Sequence, residues 1–330
     1  MYSANEKRYD KMTYNKCGDS GLFLPKISLG LWQNFGDSAN YDEMKDIVLT
    51  AFDMGITHFD LANNYGPKAG SAEVNFGKIV RENLMPYRDE LVISTKAGYR
   101  MWSGPYGIGG SRKYLTSSLD QSLKRMGLDY VDIFYHHCMT PDTPLEETAL
   151  ALADITRRGK ALYVGMSNYN GKKMHKMHHR CEDFDVPFII NQNRYSILDR
   201  TVEKNDLKKE AKSKKKGLIA FSPLAQGQLT DKCANGIPEN SRLYENRVLW
   251  EKVGYNEARQ LQITQLYNIA KKREQTLSQL AIQWLLQYGE VTSVLIGVHS
   301  KAQLVENLKA LECEPLTKAE ILQINAIAGK

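Results

Sequence analysis

The stretch VDIFYHHCMT (131–140) begins as an apolar run of strand length and ends in two adjacent histidines. Seven similar runs recur along the chain. They are KISLG (26–30), THFD (57–60), LVIST (91–95), ALYVGM (161–166), PFIIN (187–191), GLIAFS (217–222) and TSVLIG (292–297). Most are continuous in Val, Ile, Leu and Phe instead of alternating with polar residues, which is typical of strands buried on both faces of a parallel sheet.

The segments between these runs have helical periodicity. Between residues 115 and 126, three leucines and a methionine recur on one helical face, and Gly127 follows as a C-terminal stop. Eight strand-then-helix units predict a single-domain (β/α)8 barrel over residues 1–330, with helices at its C-terminus. The alternative is an open doubly wound sheet, but the nearest glycine-rich string, GPYGIGG (104–110), lacks the GxGxxG spacing.

Two segments stand outside this repeat. The segment DKMTYNKCGDSGLFLP (10–25) holds two short runs around a Gly-Asp turn, which predicts a β-hairpin capping the barrel floor. The segment 226–255, after the seventh run, is rich in Gly, Asn, Arg and Lys and shows little periodicity. A loop this long is usually functional or disordered, and it follows a strand end, where barrel active sites lie.

Composition narrows the class of protein. The 330 residues are 42% hydrophobic and 25% charged, with a net charge of +6. Much of the excess lies in KKEAKSKKKG (208–217), which we interpret as a solvated helix face, so no nucleic-acid partner is predicted. The N-terminal residues lack the apolar core of a signal peptide, and no run approaches the ~18 apolar residues of a membrane span.

Cysteine and histidine usage predicts a cytoplasmic protein without a metal. The five cysteines are odd in number and contain no CxxC motif, which indicates a reduced chain without a structural zinc site. MHKMHHR (174–180) places three histidines on one helical face, a spacing that can bind a metal. No carboxylate-rich motif completes such a site, so a surface helix is the favoured interpretation.

Polar residues mark the ends of the predicted strands, where barrel chemistry gathers. The second strand ends at Asp60, with Tyr65 in the loop beyond, and the third ends near Lys96. The fourth ends in His136 and His137. The later strand ends carry Ser167 and Asn168, then Gln192, then Ser222.

Strand alternation divides the two histidines. It places His137 on the face of Ile133 and Tyr135, and His136 on the face of Asp132. A barrel interior prefers branched apolar residues, whereas a charged aspartate fits better outside. We therefore expect His137 to point inward and His136 to pack against a helix.

Asp, Tyr, Lys and His form a chemically sensible set. A tyrosine titrates near a pKa of about 10, and a neighbouring lysine ammonium is expected to lower that pKa while an aspartate orients the lysine. An imidazole beside the phenol can orient a carbonyl oxygen. Such a site protonates a carbonyl oxygen while hydride arrives at its carbon, which requires a nicotinamide cofactor.

Six motifs, HFDLANNYG, VISTKAG, VGMSNY, INQNRY, AFSPLAQG and IGVHSKAQLVEN, occur in this order across the chain. With them the sequence resembles the aldo-keto reductase superfamily. GYRMWSGPYGIGGSRKYL and SLDQSLKRMGLDYVDIFY are similar to the branch that holds bacterial L-glyceraldehyde-3-phosphate reductases and potassium-channel β subunits. The resemblance implies that Asp60, Tyr65, Lys96 and His137 are the catalytic residues.

The resemblance also implies where the cofactor binds. The implied nicotinamide contacts are Ser167, Asn168 and Gln192, with Phe221 stacking on the ring. The implied pyrophosphate contacts are Ser222, Leu224, Gln226, Lys232 and Arg242. The implied adenosine contacts are Gly297, His299, Gln303, Glu306 and Asn307.

The cofactor is expected to be NADPH instead of NADH. Lys232, Lys301 and His299 would supply positive donors to a 2′-phosphate. His299 is a departure, since the branch commonly has a small hydroxyl residue there, and Ser300 follows it.

The expected activity is the NADPH-dependent reduction of small aldehydes or ketoaldehydes to alcohols. Glyceraldehyde 3-phosphate, methylglyoxal and short aliphatic or aromatic aldehydes are the candidate substrates, with Trp32, Arg100 and Trp102 as candidate pocket residues. The alternatives are a redox-sensing regulatory subunit with slow turnover and, less favoured, an isomerase or lyase. The branch implies a homo-oligomer, either a tetramer or an octamer.

Overall fold

Eight parallel strands close into a barrel in the computed structural model, which describes residues 2–239, 241, 244 and 254–329. The barrel strands are β3 (Ile27–Gly30), β4 (His58–Asp60), β5 (Val92–Ala97), β6 (Val131–His136), β7 (Ala161–Ser167), β8 (Phe188–Arg194), β9 (Gly217–Phe221) and β10 (Ser293–Ile296). Strand β10 pairs with both β9 and β3, so the sheet has no free edge. The (β/α)8 prediction is confirmed, every predicted run forms its strand, and the open-sheet alternative is excluded.

Helices cover the outside of the barrel. They are α1 (Tyr41–Asp53), α2 (Ser71–Ile79), α3 (Arg112–Met126), α4 (Leu145–Arg157), α5 (Gly171–Asp183), α6 (Thr201–Lys204), α7 (Leu207–Ser213), α8 (Glu257–Lys272), α9 (Leu277–Leu286), α10 (Lys301–Leu308) and α11 (Lys318–Ile327). Gly127 ends α3 as predicted. Its φ of 68° is left-handed, and its N–H donates to the Leu123 carbonyl at 2.8 Å.

An antiparallel hairpin, β1 (Tyr14–Lys16) and β2 (Phe23–Pro25), closes the N-terminal end of the barrel. Cys17 and Leu24 of this hairpin are fully buried and join the apolar cluster inside the barrel. The predicted cap of the barrel floor is therefore confirmed. Because this end is plugged, the chemistry must gather at the opposite end, where the strands finish.

The loop after β9 turns twice, through the 3-10 segments Ala225–Gly227 and Asp231–Cys233. Asp231 accepts a hydrogen bond from the backbone N–H of Leu277, at the start of α9, at 2.7 Å. The first part of the predicted long loop is thus tied to the barrel wall. Arg242, predicted to contact the cofactor, lies outside the described residues.

Two histidines of α5 lie beside carboxylates. His175 lies 2.6 Å from Glu210, and His179 lies 3.1 Å from Glu182. No group of three or more metal-ligating side chains is found within the described part of the chain. None of the described helices is long and apolar enough to cross a membrane.

We predict that Gly165 on β7 is required for packing. A Cβ at this position would lie 2.2 Å from Cε1 of Tyr135, its partner on β6, which is buried inside the barrel. Gly165→Ala should therefore lower the free energy of unfolding by about 1–3 kcal/mol, measured by urea denaturation.

Gly21→Ala provides the control, because a Cβ there meets no described atom within 4 Å. Its unfolding free energy should stay within about 0.5 kcal/mol of the wild type. Equal stability of the two variants would contradict the packing argument.

Candidate functional site

The four predicted catalytic side chains meet at the open end of the barrel. Asp60 ends β4, Lys96 lies near the end of β5, and His137 follows β6. The Lys96 ammonium lies 2.5 Å from Oδ2 of Asp60 and donates to the Tyr65 hydroxyl at 3.3 Å. The ring centroids of Tyr65 and His137 are 6.0 Å apart. The structure thus brings together residues from three strands and one loop.

The Lys96 ammonium has an acceptor for each of its three N–H groups. These acceptors are the Asp60 carboxylate, the Leu61 carbonyl at 2.6 Å and the Tyr65 hydroxyl. The side chains of Lys96 and Asp60 are fully buried. Burial lowers the pKa of Lys96, and the attraction of Asp60 opposes that shift. The geometry directs one N–H of the lysine at the phenol.

Three groups donate to the Asp60 carboxylate. Besides Lys96 on Oδ2, the Ser94 hydroxyl at 2.7 Å and the Gln192 amide at 3.0 Å donate to Oδ1. Sequence reasoning missed Ser94, although it precedes Lys96 by two residues and therefore lies on the same face of β5. Gln192, predicted to contact only the cofactor, also orients the aspartate.

The Tyr65 phenol is held in its neutral form. Burial raises the pKa of Tyr65 well above its ordinary value, and the nearby Asp60 carboxylate adds to the increase. The net lowering of this pKa that was expected beside Lys96 is not found, because removal of the phenol from water dominates. A phenol with a raised pKa keeps its proton across the neutral range and can donate it.

His137 points into the site as a neutral imidazole. Burial lowers the pKa of His137 well below its ordinary value, and the Lys96 charge adds to the decrease. The Tyr99 ring packs against the imidazole with centroids 4.6 Å apart and planes at 82°. Nδ1 of His137 is buried and has no hydrogen-bond partner among the described residues. Sequence reasoning missed Tyr99, whose position depends on the fold of a loop.

His136 points away from the site. Its Nδ1 lies 2.7 Å from the hydroxyl of Tyr169, and burial lowers its pKa to about 4. The prediction that His137 points inward and His136 packs outside the barrel agrees with this geometry.

The nicotinamide contacts implied by the sequence border the four residues. The Asn168 amide donates to the His137 carbonyl at 2.9 Å and to Ser167 Oγ at 3.2 Å. Phe221 ends β9 and pairs with Arg194 at the end of β8. Asn168 has a φ of 61°, in the left-handed region that asparagine adopts more readily than most residues other than glycine.

The loop after β9 folds back on itself. Ser222, Ala225 and Gln226 have φ values of 52°, 48° and 61°, all in the left-handed region. The Ala225 N–H donates to the Ser222 carbonyl at 3.0 Å, and the Gly227 N–H donates to the Leu224 carbonyl at 2.9 Å. Turns of this kind can present further backbone N–H groups to an anion. Leu224 lies in the same loop, packed against the core, and Lys232 lies in its second turn.

The implied adenosine contacts differ in whether the protein already provides their hydrogen-bond partners. Nδ2 of Asn307 is buried without a partner among the described residues, and Gly297 and His299 are exposed. Gln303 accepts from the His299 backbone at 3.0 Å, whereas the Glu306 carboxylate accepts from Gln279 and Lys309, both at 2.8 Å. The orphaned Asn307 amide fits a nucleotide base, but Glu306 is already engaged.

One of the expected 2′-phosphate donors also has another partner. The ammonium of Lys301 lies 3.3 Å from Asp46 on α1. Lys232 and His299 are the remaining candidate donors.

The predicted pocket residues lie around the same opening. The indole of Trp32 lies 6.0 Å from the Tyr65 ring and is 46% exposed. Trp102 packs on Tyr114 instead, at 5.1 Å, and Arg100 reaches the Gly104 carbonyl at 3.5 Å. Contact with the four residues is therefore shown for Trp32 alone among these three.

Arg194 is a further cation at the opening that the sequence reasoning missed. It follows Gln192 by two residues on β8 and so shares its inward face. Its guanidinium lies 3.9 Å from Asp199, a loose ion pair. The two-residue spacing from Gln192 could have identified Arg194 in the sequence.

Comparison with known proteins identifies the family. Residues 26–328 match the family described as aldo/keto reductase. The chain belongs to the aldo/keto reductase family. Members of this family are oxidoreductases that generally use nicotinamide cofactors, in agreement with the site.

Two curated relatives refine the position of this aldo/keto reductase. It is 51% identical over 329 residues to the L-glyceraldehyde 3-phosphate reductase of Escherichia coli (strain K12), covering 98% of this chain and 95% of the relative. It is 34% identical over 315 residues to a putative voltage-gated potassium channel subunit beta of Schizosaccharomyces pombe, covering 93% and 90%. The resemblance to both kinds of protein is confirmed.

A solved structure shares the fold of this aldo/keto reductase. The thermostable aldo-keto reductase Tm1743, crystallised with the inhibitor epalrestat, superposes with a TM-score of 0.74 at 28% identity. The match covers 96% of this chain and all of the other.

We predict that the two histidines respond differently to substitution. His137→Ala should lower kcat for aldehyde reduction by about 10²-fold, because the imidazole that would orient the carbonyl is lost. His136→Ala should leave kcat within a few-fold of wild type and mainly lower the melting temperature, because it removes a buried hydrogen bond to Tyr169. Steady-state kinetics on both folded variants measures this, and a larger kcat loss in His136→Ala would reverse the assignment.

Proposed function

We propose that this aldo/keto reductase reduces small aldehydes or ketoaldehydes to alcohols with NADPH, using Tyr65 as the general acid. The observation that carries the proposal is the neutral Tyr65 phenol, held by a lysine N–H at 3.3 Å beside the neutral imidazole of His137. NADPH, when bound, supplies the hydride, which protein side chains do not provide.

Each of the four side chains would have a distinct role. The Tyr65 hydroxyl gives its proton to the carbonyl oxygen as negative charge develops there. The Lys96 ammonium stabilises the resulting tyrosinate, and Asp60 keeps that ammonium charged and in place. The neutral His137 holds the carbonyl oxygen through its ring N–H.

The cofactor would lie along the implied contacts. Ser167, Asn168 and Gln192 would hold the carboxamide, and Phe221 would stack on the ring. The left-handed residues of the turn at 222–226 support pyrophosphate binding, because backbone of this kind can present N–H groups to an anion. Lys232 and His299 are the proposed donors to a 2′-phosphate.

The proposed substrate of first choice is glyceraldehyde 3-phosphate. The 51% identity to a protein named L-glyceraldehyde 3-phosphate reductase supports it. Arg100 and Arg194 supply positive charge near the opening, where a substrate phosphate would need it. Methylglyoxal and short aliphatic or aromatic aldehydes are further proposed substrates, with Trp32 and Trp102 as pocket walls.

A redox-sensing regulatory subunit is the second candidate function. It is favoured by the 34% identity to a putative potassium channel subunit beta. An enzyme should turn over many times per bound cofactor, whereas a sensor should turn over slowly and release cofactor reluctantly. A screen of NADPH oxidation over phosphorylated, keto- and hydroxy-aldehydes distinguishes the two.

We further propose that residues 1–330 form one domain and act in the cytoplasm as a homo-oligomer, either a tetramer or an octamer. No nucleic-acid or membrane partner is proposed. The resemblance to the bacterial reductases supports the assembly.

Tyr65→Phe tests the mechanism. Its kcat should fall by about 10²–10⁴-fold because the proton donor is lost, while the Kd for NADPH, measured by fluorescence titration, should stay unchanged. Tyr288→Phe is the control, since Tyr288 is 61% exposed and lies outside the site. Full activity of Tyr65→Phe would refute the assignment.

The cofactor preference gives a separate prediction. kcat/KM with NADPH should exceed that with NADH by about tenfold or more, since a charge-assisted hydrogen bond to a 2′-phosphate contributes roughly 1.5–3 kcal/mol. Lys232→Gln should lower kcat/KM for NADPH more than for NADH, because only NADPH carries the 2′-phosphate, so NADH serves as the internal comparison. A preference for NADH in the wild type would overturn the prediction.

A further inference from the structure

Four polar side chains, called the file below, form a hydrogen-bonded row in the barrel interior that leads to Asp60. They are Ser28, His58, Ser94 and Ser293, on β3, β4, β5 and β10, and all are fully buried. The hydroxyls of Ser293 and Ser28 lie 2.6 Å apart, and Ser28 lies 2.9 Å from Nδ1 of His58. Nε2 of His58 lies 3.0 Å from the Ser94 hydroxyl, which donates to Asp60 at 2.7 Å. The file is continuous from β10 to the carboxylate.

The carboxylate determines the tautomer of His58. An ionised carboxylate only accepts hydrogen bonds, and a serine hydroxyl has a single proton to donate. Because Ser94 gives that proton to Asp60, its oxygen must accept from Nε2 of His58. The imidazole therefore carries a proton on Nε2.

The direction of each remaining hydrogen bond in the file follows from this tautomer. Burial lowers the pKa of His58 to about 4, so the ring is neutral near pH 7 and its Nδ1 is an acceptor. Ser28 must donate to Nδ1, which leaves Ser293 as the donor to Ser28. Every proton in the file points toward Asp60, and hydrogen bonds aligned in this way polarise and strengthen one another.

We propose that His58 is a positioning residue of the active site, which as its Nε2–H tautomer orients the Ser94 hydroxyl and thereby holds Asp60 against Lys96. The opposite tautomer would offer Ser94 a bare Nε2, which would compete with Asp60 for the only serine proton. With Oδ1 held by Ser94 and Gln192, Oδ2 faces the ammonium, whose remaining N–H reaches Tyr65. This inference rests on the proposed function for its effect on rate.

The tautomer is tested on the wild-type protein by ¹⁵N NMR of ¹⁵N-histidine-labelled enzyme, with His58→Gln used to assign the signal. The expected spectrum at pH 7 shows one protonated nitrogen, Nε2, and one unprotonated nitrogen, Nδ1. A protonated Nδ1, whether in the other tautomer or in a charged ring, would overturn the proposal. This measurement needs no turnover.

The effect on rate is tested by a double-mutant cycle. His58→Leu and Ser94→Ala should each lower kcat about 10–100-fold, the loss typical of residues that orient catalytic groups, with little change in KM or NADPH affinity. If His58 acts through Ser94, the double variant should lose no more than Ser94→Ala alone. Losses that multiply in the double variant would mean that His58 acts independently, which contradicts the proposal.

Two variants separate positioning from folding. His58→Gln keeps an N–H donor within reach of Ser94, so it should recover most of the kcat lost in His58→Leu. His136→Leu makes the same replacement at a buried histidine outside the file and should leave kcat near that of the wild type. Equal kcat losses in His58→Gln and His58→Leu, with both proteins folded by circular dichroism, would reject the role. If the wild type oxidised NADPH with none of the aldehydes, the proposed function would fail while the NMR result stood.

Discussion

The buried ion pair between Lys96 and Asp60 is the constraint on which the site depends. Removing two charges from water costs several kcal/mol per ion, and the attraction between them compensates only when the remaining hydrogen-bonding groups are satisfied. Here the ammonium has three acceptors, and the carboxylate has three donors. The third lysine N–H is satisfied by the Tyr65 hydroxyl. The geometry that stabilises the buried pair is therefore also the geometry that the proposed chemistry needs.

The barrel interior holds both apolar and polar side chains. Ile133, Ile190 and Ile219 belong to an apolar cluster that includes Leu24 of the N-terminal hairpin. The serine and histidine file leads from β10 to Asp60. Buried polar groups cost free energy unless they are hydrogen-bonded, and each polar atom of this file has a partner. The hairpin closes the floor, so water and substrate reach the ion pair from the opposite end.

Burial also determines the protonation states at the opening. It keeps Tyr65 as a phenol and His137 as a neutral imidazole, because each charged form loses its hydration. A proton donor and a neutral hydrogen-bonding ring suit reduction of a carbonyl. Membership of the aldo/keto reductase family agrees with this chemistry.

Local sequence determined the strands, the strand-end residues and the inward His137. Continuous apolar runs and the two-residue alternation are properties of neighbouring residues, so they could be predicted without the fold. The raised pKa of Tyr65 could not be predicted in this way, because the direction of its shift depends on how far burial outweighs the lysine charge. The packing of Tyr99 on His137 depends on a loop, and the contacts of Glu306 and Lys301 with side chains from other helices are equally tertiary. In the sequence, His58 is simply one residue of a predicted buried strand. Only the closure of the barrel brings Ser28 and Ser94 to its two ring nitrogens.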